Sequence, residues 1–178
     1  MKDYKYYLDS GIYDFNCGKY SSALENFNQS LSLKNDWDIP YFYRAAANQA
    51  LDNFDDAILD YTKALSLNDK MIDAYYNRAK IILTRKDIEN PDISRAIADL
   101  EKAIELDPNF IEALYAMAAA QKKIENYQNS LIYLDRVLEL QPDFIHAKAL
   151  KKLILQKYYT EQWWKQKICN IDLNKAFN

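Results

Sequence analysis

His146 is the only histidine among 178 residues, and that count limits the chemistry available. A histidine-rich metal site cannot be assembled, and a nucleophile–histidine pair would need a Ser or Cys folded against this one ring. Cys17 and Cys169 stand far apart with no motif around them, which reads as reduced thiols of a cytoplasmic protein. With two glycines in all, the chain has no Gly-rich phosphate cradle. Asp55, Asp56, Asp99, Glu101 and Glu105 fall on helical spacing and are expected as solvated charges of helix faces. Asn28-Gln29-Ser30 matches a glycosylation sequon, but inside a helical pattern it reads as chance. These residues give no support to an enzyme, a metal or a cofactor.

Charge and hydropathy narrow the partners. The net charge is -3 and the pI about 5.3, with no basic track for phosphates, so nucleic acid is not expected. No stretch approaches the roughly 20 apolar residues that span a membrane, and Met1-Lys2-Asp3-Tyr4-Lys5 lacks the apolar core of a signal peptide. A protein partner remains as the expectation.

The elements that would present a surface to it repeat. Tyr7, Tyr41 and Tyr75 are spaced 34 residues apart, as are Ala23 and Ala57, with Leu24/Ile58, Phe27/Tyr61 and Leu31/Leu65 between. The pattern returns 39 residues later around Ala96, Leu100 and Ala103, and after another 34 around Ser130, Leu134 and Val137. Apolar residues three and four apart predict helices at about 3–16, 21–34, 38–51, 55–68, 71–86, 91–106, 110–124 and 128–140, with a ninth from about 144. Pro40, Pro108 and Pro142 fall where repeats hand over, at expected first turns of helices, and Asn90-Pro91 is expected to start another. Units of this kind bury their apolar faces only against neighbours.

The turn aromatics Tyr20, Phe54 and Tyr127, the small residues Ala23, Ala57 and Ser130, the close-contact slot of Gly11, Ala45, Ala79 and Ala118, and Leu106-Asp107-Pro108-Asn109 together resemble the tetratricopeptide-repeat family. The resemblance implies an all-α, right-handed α-α superhelix, a solenoid of antiparallel helix pairs. It implies one domain over 1–178, with repeats at about 4–37, 38–71, 72–110 and 111–144 and a capping helix and tail at 145–178. It also implies a concave groove, lined by each repeat's first helix, that binds a peptide or helix of another protein. On that register the candidate groove residues are Leu8, Ile12, Phe42, Tyr43, Tyr76, Asn77, Leu83 and Tyr115, the apolar ones as anchors and Asn77 for a backbone amide. The family's clamp for acidic chaperone tails needs Lys, Asn, Asn, Lys and Arg. This chain has Leu8, Ile12, Tyr43, Asp73 and Asn77 at those places, or Phe42, Ala46, Asn77, Glu112 and Ala116 one repeat on. Cations for a carboxylate are missing from both sets.

Two departures stand out. Five extra residues around Arg85–Asp92 read either as a longer joint or as a knob that touches a partner. At the other end, Trp163 and Trp164 are adjacent and point roughly 100° apart on a helix, so one stripe does not bury both. The second ring is a candidate secondary contact, and the alternative function is a scaffold that self-associates through its ends and this aromatic helix.

Overall fold

The structure, a computed structural model, describes residues 2–85, 92–158 and 160. They form α1 (Tyr4–Asn16), α2 (Tyr20–Leu33), α3 (Asp38–Ala50), α4 (Phe54–Leu67), α5 (Ile72–Thr84), α6 (Ile93–Leu106), α7 (Ile111–Lys123) and α8 (Tyr127–Leu140), and a ninth helix runs over 145–158. The fold class is thus all-α, a helical repeat, with helix ends within about two residues of the sequence-based expectation. Pro40 sits in the first turn of α3, but Pro108 and Pro142 lie in the joints before helices rather than inside first turns. Asn90 and Pro91, expected to start a helix, lie outside the described residues. The cap of α6 is Asp92, whose side chain accepts from the Arg95 N–H at 3.0 Å.

Three of the hairpin turns share a physical signature. Gly18, Asp52 and Glu125 occupy the same repeat position and are left-handed, with φ of 73°, 60° and 60°. Only glycine adopts that conformation without a Cβ penalty. Asp52→Gly is therefore expected to raise stability by about 0.5–1 kcal/mol, read as a higher urea midpoint. A lower midpoint would mean that the Asp52 side chain contributes more than its backbone costs.

Contacts divide the chain into two compact units, Met1–Pro108 with α1 to α6 and Asn109–Asn178 with α7, α8 and the ninth helix. In the first unit, Leu8, Ala23, Phe27 and Ala47 form one buried cluster, with Ile12, Phe15, Trp37 and Tyr43 packed on it. Ala45, Ala57, Tyr61, Leu65, Ala74 and Ile81 form the next, with Phe42, Phe54 and Tyr75 around them. Such clusters, one per pair of neighbouring hairpins, are how an array of half-buried helices acquires a core. In the second unit Leu114, Met117, Leu134 and Val137 are fully buried, and Ser130 Oγ donates to the Ala118 carbonyl at 2.7 Å where α7 and α8 approach. The ninth helix docks through buried Ala147 and Ile154 and the Lys151–Asp135 ion pair. Ile145 and Leu153, apolar residues of that helix, stay exposed.

Candidate functional site

In the first unit the candidate groove residues sit on α1, α3 and α5, and burial separates them into two groups. Leu8 is only 4% exposed and belongs to the core, and Leu83 is 8% exposed. Both are packing residues by their burial, although Leu8 holds the same repeat position as half-buried Phe42 and Tyr76. Ile12, Phe42, Tyr43, Tyr76 and Asn77 are half-buried. Tyr43 is held from below: it stacks on Phe27 at 6.0 Å between centroids and meets Phe15 and Phe42 edge-on at 5.9 and 5.5 Å. Phe42 meets buried Tyr61 edge-on at 5.8 Å. Rings fixed by such contacts lose little side-chain entropy when something lands on them. Lys80 Nζ lies 5.8 Å from the centre of the Tyr76 ring, and Asp9, Asp73 and Lys80 are the exposed charges of this face.

Asn77 has a polar neighbour inside the chain. Tyr61, buried on α4, donates its hydroxyl hydrogen to Gln49 Oε1 at 3.0 Å, and the Asn77 amide lies near the same hydroxyl. Burial pushes the Tyr61 phenol well above its ordinary pKa, so it stays neutral.

In the second unit Tyr115 is half-buried and meets Phe144 edge-on at 5.3 Å. His146 is exposed, with Phe144 at 6.1 Å. Trp163, Trp164 and residues 86–91 of the insertion lie outside the described residues. Among the described residues, no group of three His, Cys, Asp or Glu side chains could hold a metal, and no helix is long and apolar enough to cross a membrane.

The carboxylates need correction. Asp99 is 5% exposed, not solvated, and receives Arg78 Nε and Nη2 at 2.8 and 2.6 Å, while Nη1 of the same fork donates to Thr62 Oγ1 at 2.9 Å. One repeat earlier Arg44 gives Nε and Nη2 to Asp60, both at 2.7 Å, and Nη1 to Asn28 Oδ1 at 2.7 Å. The Asp60 hydrogen bond holds the Arg44 guanidinium more firmly protonated than usual, against the opposing effect of burial. Each arginine ties its own repeat's second helix to that of the preceding repeat. Asp55 is exposed as expected and accepts from Arg85 Nη1 at 2.6 Å. Asp56, Glu101 and Glu105 are exposed as expected, with Lys102 reaching Glu105 at 3.0 Å. The signal for the forks was the recurrence of Arg at 44 and 78 opposite Asp at 60 and 99, a regularity that sequence reasoning missed.

Antiparallel helix pairs that recur in register and pack pair on pair define an α-helical repeat protein. Residues 91–125 match the family model of the TPR repeat, and residues 111–162 match that of the Fis1 C-terminal tetratricopeptide repeat; this chain is a tetratricopeptide-repeat protein. Among relatives, sperm-associated antigen 1 of Homo sapiens is 36% identical over 96 residues, covering 54% of this chain and 10% of that protein. The chain therefore spans about a tenth of the length of the first curated relatives it matches. Among solved structures, a MamA RS-1 double mutant superposes with a TM-score of 0.79 at 16% identity, over 98% of this chain and 97% of that one. The first TPR of Spaghetti (RPAP3), bound to the HSP90 peptide SRMEEVD, gives 0.63 at 21% identity, over 68% and 93%. At these identities the structural likeness shows the fold.

Proposed function

We propose that this chain is a non-enzymatic, cytoplasmic protein–protein interaction module, an adaptor that holds a peptide or helix of a partner protein on the groove face of α1, α3 and α5. It works without cofactor, metal, nucleic acid or membrane. The observation that carries the reading is the set of half-buried rings Phe42, Tyr43 and Tyr76, two of them braced by aromatic contacts beneath. Preorganised aromatics of this kind are the usual anchors of protein interfaces. Ile12 adds an aliphatic contact, and Tyr115 holds the position of Tyr76 on α7. The acidic peptide bound by the Spaghetti domain is not the ligand expected here. The corresponding face offers Leu8, Ile12, Tyr43, Asp73 and Asn77, with no cation among them to meet a carboxylate.

Affinity capture from the native cell identifies the partner, and Tyr76→Ala then tests the face. The variant is expected to weaken the captured complex about tenfold while the thermal melt stays in place. Unchanged affinity would remove Tyr76 from the interface, and a much lower melt would make it a core residue. A second reading, self-association through the ends, is favoured by exposed Ile145 and Leu153 on the ninth helix. Light scattering that reports a monomer across a wide concentration range sinks it.

A further inference from the structure

Arg44 and Asn48 share the face of α3 turned roughly 200° away from Phe42 and Ala46, and that face forms the floor of a recess. Its walls are Leu24 and Asn28 of α2 and Asp56, Leu59 and Asp60 of α4, around a cavity of about 360 Å³. The charges of Arg44 and Asp60 answer each other, with Asn28 taking the remaining guanidinium bond. Three groups are left for a ligand. Asn48 is only 7% exposed, and its Oδ1 has a long contact from Asn53 Nδ2 at 3.4 Å. Its Nδ2 donates to no group among the described residues. Leu59 is 67% exposed beside half-buried Leu24. Asp56, exposed at the rim, makes no ion pair among the described residues.

The following repeat provides an internal control. It builds the same junction from Ile58, Thr62, Arg78, Ile82, Arg95, Ala98 and Asp99, and it repeats the arginine fork bond for bond. There buried Ile82 stands in place of Asn48, and Ala98 in place of Leu59. Arg95 replaces Asp56, and its Nη2 donates to Thr62 Oγ1 at 3.3 Å. One scaffold therefore occurs in two forms, one with an isoleucine and an extra arginine bond, the other with a buried amide, an unpaired carboxylate and an exposed leucine. Asn48 Nδ2 is not sealed from solvent, so its donor opens into the recess, where Ile82 offers none.

We propose that this recess is a second peptide-binding site, on the side of α3 away from the groove, for a segment that presents an aliphatic side chain next to a lysine or arginine. The aliphatic group sits between Leu24 and Leu59. A main-chain carbonyl of the segment accepts from Asn48 Nδ2, and the cation pairs with Asp56. The lining carries two carboxylates to one guanidinium, which selects the basic neighbour.

N-acetyl-leucyl-lysine amide is the probe, titrated into the full chain and followed by two-dimensional NMR. Saturable shifts are expected at the Asn48 side-chain amide and at the Leu24 and Leu59 methyls, and N-acetyl-leucyl-glutamate amide should bind about fivefold more weakly. Asn48→Ile and Asp56→Arg, which copy Ile82 and Arg95, should each abolish the saturable methyl shifts and keep or raise the melting temperature. Leu59→Ala, which copies Ala98 at an exposed position, should weaken the probe about tenfold without touching the fold. Tyr76→Ala should leave the probe's affinity unchanged, which separates this site from the groove. Non-saturable shifts, equal binding of the glutamate peptide, or binding retained by Asp56→Arg or Leu59→Ala overturns the site.

Discussion

Asp99→Ala is expected to destabilise the first unit by about 3–5 kcal/mol, the largest effect of any single truncation considered. The side chain removed is buried, and the group left behind is worse: Arg78, itself largely enclosed, keeps its charge and loses two bonds of 2.8 and 2.6 Å. A carboxylate on the surface would cost within about 1 kcal/mol, so the size of the loss separates the two environments. The control is the double variant Arg78→Met with Asp99→Leu, which removes both charges and fills the space. It should recover most of the loss, because a buried pair replaced by apolar volume is often neutral. Asp60→Ala should cost less, since Arg44 reaches solvent more than Arg78 does. Urea unfolding followed by circular dichroism measures all three variants against the parent chain. A loss below about 1 kcal/mol for Asp99→Ala would place this carboxylate back in water.

Why the helices were legible and this pair was not is a matter of distance along the chain. Tyr7, Tyr41 and Tyr75, or Gly18, Asp52 and Glu125, declare themselves by recurrence, and the rules of helix ends are local. Asp99 on its own helix looks like any charge on a hydrophilic face. Its burial depends on Arg78, a residue on α5 with the insertion between them. Asn77 is the same lesson at the candidate site: its repeat position is readable, but its closeness to Tyr61 depends on a ring reaching across from α4. Leu8 holds the repeat position of half-buried Phe42 and Tyr76, so register alone does not announce its burial, which depends on what its neighbours leave uncovered. Asn48 was overlooked because a lone Asn in an alanine-rich helix carries no periodic signal. Only comparison with Ile82, made where both side chains have surroundings, gives it meaning.

Gly11→Ala is expected to destabilise the chain by about 1–3 kcal/mol, against the sign that helix propensity predicts. Alanine is better than glycine inside a helix by about 1 kcal/mol, and Gly11 lies in the body of α1. A Cβ there, however, would stand 2.5 Å from Phe27 Cε1, 2.7 Å from Cδ1 and 3.1 Å from Cζ. Phe27 is fully buried and cannot swing aside, since Tyr43 stacks on its ring. Something must move, and the stacked pair is what lies in the way. Phe27→Leu in the same chain should relieve the clash, so that the double variant loses less than the sum of the singles by about 1 kcal/mol or more. Because Tyr43 is a groove candidate, Gly11→Ala should also weaken the captured partner at temperatures where the chain is still folded. Thermal melts of the three variants, with partner affinity measured well below each midpoint, test both halves. If Gly11→Ala instead raises the melting temperature, α1 and α2 have room between them, and Tyr43 loses the brace that makes it an anchor.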